Sequence, residues 1–111
     1  MDQITDWNPY TQRARDWFET LRTRICAAFE EIEREAGSDA AFTYTPWDRS
    51  TEDGSEGGGG VRAVMKGRVF EKVGVNVSTV QGEFAPQFAA TINGASADAP
   101  GFTATGISLV A

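Results

Sequence analysis

Apolar and polar positions along the chain follow two different periods. From Pro9 to Ala36, Ala14, Trp17, Phe18, Leu21, Ile25, Ala28, Phe29 and Ile32 recur at steps of one, three and four, which places them on one face of a single helix. Asn8-Pro9 supplies its entry, since Asn accepts from orphan amide hydrogens and Pro tolerates the first helical position. Gly37 supplies the exit. Residues 1–8 are expected to be a tail. Arg15/Glu19 and Glu30/Arg34 stand four residues apart off the apolar face and read as solvated pairs.

Beyond Gly37 the period changes to two. Phe42 to Trp47 alternates aromatic residues with threonine and predicts a short strand, which Pro46 assigns to a sheet edge. Residues 48–60, acidic and then glycine-rich, have no period and predict a loop. Residues 61–82 predict a hairpin. Val61, Ala63 and Met65 share one face, Arg62, Val64 and Lys66 the other, and Lys66-Gly67 makes the turn. In the return strand, Arg68 to Thr79, the residues Val69, Glu71, Val73, Val75, Val77 and Thr79 alternate with Arg68, Phe70, Lys72, Gly74, Asn76 and Ser78. The valine face is expected to pack under the helix. Gly74 suggests either a bulge, which would swap the faces beyond it, or a close backbone approach. Residues 83–102 read as a variable surface excursion, and 103–111 as a strand cut off at its end. The fold class is therefore α+β, a long N-terminal helix packed on an antiparallel β-sheet.

Composition narrows the options. The 111 residues, 41% of them apolar, suffice for one domain. Residues 1–60 hold 13 acids and 6 bases and residues 61–111 hold 3 and 4, so the net charge of −6 arises in the first part. Neither part has the clustered Lys and Arg of a nucleic-acid or anionic-membrane surface. No apolar stretch reaches membrane-spanning length and the N-terminus lacks a secretion signal, so a cytoplasmic location is expected. Cys26 is the only cysteine and there is no histidine, so neither an intrachain disulfide nor a Cys/His zinc site can form. Gly57 to Gly60 is not a phosphate loop, because the Gly-Lys-Ser/Thr that would reach phosphates is missing and a strand follows. Those glycines are either a linker or a place where absent side chains let this backbone approach a partner or ligand closely.

Gly57 to Gly60, Arg62, Gly67, Val69-Phe70-Glu71-Lys72, Gly74-Val75-Asn76, Ser78, Val80 and Gly82 resemble, in order and spacing, the glycine-rich segment and following hairpin of the oxygen-dependent coproporphyrinogen III oxidases. Trp7 to Ile32 is similar to that family's opening helix, and Gly106-Ile107-Ser108-Leu109-Val110 to its Gly-Val-Ser-Leu-Val strand. The resemblance covers nearly all of this chain but only the opening part of a longer enzyme, whose histidines and Asn-x-Arg substrate contact come later. It implies an N-terminal fragment, inactive alone, of an oxidoreductase of haem and porphyrin biosynthesis. The complete enzyme would decarboxylate two propionates of coproporphyrinogen III to give protoporphyrinogen IX. Molecular oxygen would be co-substrate, no cofactor would be held by this chain, and the divalent-metal requirement is left open.

By the same resemblance, Ser108 is a substrate-binding residue, the alternative being a strand serine with no role, and Ala63 to Lys72 is a homodimer interface, the alternative being that Arg62, Lys66, Arg68 and Lys72 keep an exposed edge soluble. Arg62, Asn76 and Ser78 are candidates for the substrate cavity, each with an ordinary hydrogen-bonding role as the alternative. Two other readings stay open: a non-catalytic dimerisation or ligand-binding module related to the family, and an unrelated α+β domain.

Overall fold

The computed structural model describes residues 8–50, 54, 56–83, 87, 91 and 101–111. Helix α1 (Asn8–Glu35) is followed by strands β1 (Thr43–Ser50), β2 (Glu56–Met65), β3 (Val73–Glu83) and β4 (Gly101–Val110). The strands form one antiparallel sheet in the order β1-β2-β3-β4, so each pairs with its neighbour in sequence. The helix covers one face of this sheet, chiefly β3 and β4. The α+β arrangement expected from periodicity is the one observed.

The helix ends as its sequence requires. Gly37 adopts φ 83°, the left-handed region, which lets Ser38 N–H donate to Glu33 O and Gly37 N–H to Arg34 O, both at 2.9 Å. These bonds satisfy carbonyls that have no partner within the helix. Buried Cys26, Phe42, Ala63, Met65, Val73 and Val75 form the core, with Ile25, Phe29, Ala40, Phe70 and Ile107 packed around them. The valine face of β3 thus lies beneath the helix, as its alternation predicts.

Several details differ from expectation. The helix face in contact is rotated from the predicted stripe: Trp17 and Ile32 are 50% and 41% exposed, while Cys26 and Glu33 are buried. The contact centres there because Phe29 meets Phe70 edge-on at 4.8 Å between ring centroids and Glu33 reaches the β2–β3 connection. Glu30 and Arg34 do not pair. Glu30 accepts the Phe42 N–H at 2.9 Å, fixing the entry to β1, and Arg34 bonds Glu31 at 2.5 Å.

The connection at Lys66-Gly67 is not a two-residue turn, for β2 ends at Met65 and β3 begins at Val73. Residues 68–70 are withdrawn from the ladder because Glu33 takes their amide hydrogens. The loop expected over 48–60 is mostly strand. β1 continues to Ser50 with a register shift between Asp48 and Ser50, and the glycines lie within β2. Close approach is the reason: a Cβ on Gly60 would stand 2.2 Å from the Val77 carbonyl oxygen. Gly74 brings no bulge. Register runs unbroken from Gly58↔Val80 to Met65↔Val73 and from Gly74↔Val110 to Glu83↔Gly101, so the faces do not swap. Pro46 lies in edge strand β1, as predicted. The tail, the excursion over 83–102 and part of the 48–60 segment fall mainly outside the described residues.

Candidate functional site: the sheet face away from the helix

Strand alternation sends Ala63, Val73, Val75 and Val77 toward the helix, and so Arg62, Asn76 and Ser78 to the opposite face. Register then aligns them. Thr45, Arg62, Asn76 and Ser108 are successive partners across the four strands, and Trp47, Gly60, Ser78 and Gly106 form the adjacent row. With neighbouring strands about 4.8 Å apart, Arg62 to Ser108 spans about 10 Å of backbone. Four residues singled out in the sequence, on three different strands, are thus brought to one patch.

The chemistry of the patch is that of a donor surface. Arg62 contributes a guanidinium, Ser108 a hydroxyl, and both residues are exposed. Asn76 and Ser78 are half-buried. Trp47 Nε1–H donates to Asn76 Oδ1 at 2.9 Å, which orients the carboxamide and leaves its two Nδ2 hydrogens on the other side. Along Thr43 to Trp47, Gly60 to Val64, Gly74 to Gly82 and Phe102 to Val110, the alternate positions on this face carry no carboxylate. An anionic group meeting this row would find donors of both charged and neutral type and no like charge.

The segment Ala63 to Lys72 divides in two. Ala63 and Met65 are core, whereas residues 66–72 form an irregular loop with Lys66, Arg68, Val69, Glu71 and Lys72 exposed. A shallow concavity lined by Lys66, Val69, Phe70, Glu71, Lys72 and Ala111 lies beside it.

Sequence reasoning passed over Glu33, which organises that loop. Its side chain is completely buried, and its carboxylate accepts from Arg68 N–H (Oε1, 2.7 Å), Val69 N–H (Oε2, 2.9 Å) and Phe70 N–H (Oε2, 2.9 Å). Burial pushes its pKa up, but the amide hydrogens of Phe70, Arg68 and Val69, with the Ser38 hydroxyl, outweigh burial and hold it below the usual glutamate value. Gly67 makes room for this carboxylate, since a Cβ there would stand 2.4 Å from the Glu33 carboxyl carbon. The available signal was an acid continuing the Cys26, Phe29 spacing at position 33.

Burial also raises the Cys26 thiol above its ordinary value, despite a hydrogen bond with Tyr44 that acts the other way, so the thiolate is disfavoured. Among the described residues no group of three or more His, Cys, Asp and Glu could hold a metal ion, and no helix is long and apolar enough to cross a membrane.

The sequence profile of the family "Coproporphyrinogen III oxidase" matches residues 13–111. Oxygen-dependent coproporphyrinogen-III oxidase of Rickettsia akari is 50% identical over 101 residues, covering 86% of this chain and 34% of the relative. The proteins of the same name from Rickettsia bellii and Rickettsia felis are 54% identical over 95 residues and 50% over 103, covering 86% and 88% of this chain and 34% and 35% of the relatives. The chain therefore spans about a third of the length of the curated relatives it matches. No solved structure matches it. On the profile match and on identity at this level, the chain belongs to the coproporphyrinogen III oxidase family.

Proposed function

We propose that this chain is the opening part of an oxygen-dependent coproporphyrinogen III oxidase and that its helix-free sheet face receives carboxylates of the substrate. The observation that carries the reading is the row Arg62, Asn76, Ser108, one residue from each of three adjacent strands on a stretch of that face without carboxylates. Coproporphyrinogen III bears four propionates on a broad, near-neutral ring, so a surface that meets it needs donors spaced over several ångströms and no competing acid. Ser108 would donate its hydroxyl to a propionate, with Arg62 and Asn76 beside it and Ser78 in the next row.

In the reaction, each of two propionates gives up its carboxylate as CO2, and its two remaining carbons become the vinyl group with loss of one proton and two electrons. The four electrons match reduction of one molecular oxygen to two waters, with four protons taken up. This chain's residues would serve binding and orientation, which hold the reacting propionate in place. Proton transfer would fall to the part of the enzyme outside this chain, and the chain alone would be inactive. The loop from Lys66 to Lys72, with the end of β2 from Ala63, would contribute to contact between two copies in a cytoplasmic homodimer; its exposed Val69 inside a rim of charged residues supports that use.

Oxygen uptake and protoporphyrinogen formation by the complete protein test the reading. Ser108→Ala is expected to raise KM for coproporphyrinogen III about fivefold, the worth of one hydrogen bond of about 1 kcal/mol. An unchanged KM would remove Ser108 from the substrate site.

A further inference from the structure

Asn76 occupies the centre of the donor row, but an unrestrained carboxamide presents an acceptor as readily as a donor. We infer that Trp47 is a positioning residue that fixes Asn76 with its NH2 group toward the substrate. The inference rests on the reading of the row as a carboxylate site and adds a residue that does not itself belong to the row.

Trp47 lies on β1 and Asn76 on β3, with β2 between them, so the indole must cross a whole strand to donate to Oδ1 at 2.9 Å. It crosses where β2 presents Gly60, its register partner, which has no side chain to stand in the way. Only one orientation of the amide satisfies this bond: an indole N–H is a donor and nothing else, so it must face the carbonyl oxygen. The two Nδ2 hydrogens are then directed away from Trp47. Arg62 and Ser108 flank Asn76 on the neighbouring strands, so all three offer donors to one anion. Were the amide reversed, its carbonyl oxygen would oppose a propionate, converting an attraction into a repulsion. The reach of the indole across β2 also accounts for a long aromatic residue following the short Thr43 and Thr45 on this face of β1.

The complete protein tests this with coproporphyrinogen III in steady state, using Trp47→Phe, Asn76→Ala, the double variant and Ser108→Ala. Trp47→Phe keeps the ring and removes the donor, and is expected to raise KM about fivefold while kcat stays within about twofold. The double variant is expected to match Asn76→Ala, because Trp47 acts only through Asn76. If Asn76→Ala and Ser108→Ala raise KM but Trp47→Phe leaves it unchanged, or if the Trp47 and Asn76 effects multiply in the double variant, the positioning role is wrong and the carboxylate row stands. If none of the variants changes KM, the row itself is wrong.

A second measurement needs no Trp47 variant. The Trp47 indole N–H proton resonance is expected to move upfield in Asn76→Ala and to stay near its original position in Asn76→Asp, which keeps an acceptor. An indole resonance indifferent to Asn76→Ala overturns the inference even where Trp47→Phe fails to fold.

Discussion

A carboxylate enclosed by protein is destabilising unless its oxygens find partners, and Glu33 finds them in the main chain of Arg68, Val69 and Phe70. Its folded pKa lies below the ordinary 4.5, so the ionised form favours the folded chain at any pH above that value. The contribution is lost as pH falls through the lower folded value. Glu33→Gln keeps the shape but turns an NH2 group toward amide hydrogens, so its urea midpoint is expected to lie below that of the unaltered protein at pH 7. The gap should narrow as pH drops below 4.5, and equal midpoints at every pH would show that the carboxylate does not hold the loop. The helical period places Glu33 on the buried face with Cys26 and Phe29 but does not show what it binds. Its partners are backbone groups 35 to 37 residues away, which carry no sequence signature.

At the scale of elements, the connection between β2 and β3 shows where the alternating pattern misleads. Val69 and Glu71 continue the period of Val73, Val75 and Val77, yet Val69 is 49% exposed and stands outside the strand, because strand pairing loses to capture by Glu33. Gly67, read as a turn glycine, does not have positive φ; it is small because the carboxylate lies against it. Gly67→Ala is therefore expected to cost about 1–3 kcal/mol by overpacking. Most of that cost should vanish in a Glu33→Ala background, and a denaturation cycle returning additive values would show that the two positions are not in contact. The place of these glycines inside β2 is hidden in the sequence for a related reason: the approach of Val77 to Gly60 belongs to the sheet, and no local pattern encodes it.

For the whole molecule, the helix, the valine face and the antiparallel pairing were legible because each follows from a repeat within one segment. The row Arg62, Asn76, Ser108 was legible only as three unconnected residues, since its alignment is set by register between strands distant in sequence. Apolar surface remains open on this unit, with Trp17 50% and Val110 74% exposed and β4 unpaired on its outer edge among the described residues. The isolated chain is expected to self-associate with rising concentration, and Val110→Lys to shift sedimentation toward the monomer by charging that edge. Sedimentation independent of concentration and of this substitution would show that the edge is not adhesive. Strand order identical to chain order has a further consequence for the nascent polypeptide. Each new strand finds its partner already made, so the sheet can grow in the direction of translation by closing short segments, with docking of the waiting helix the one long-range step.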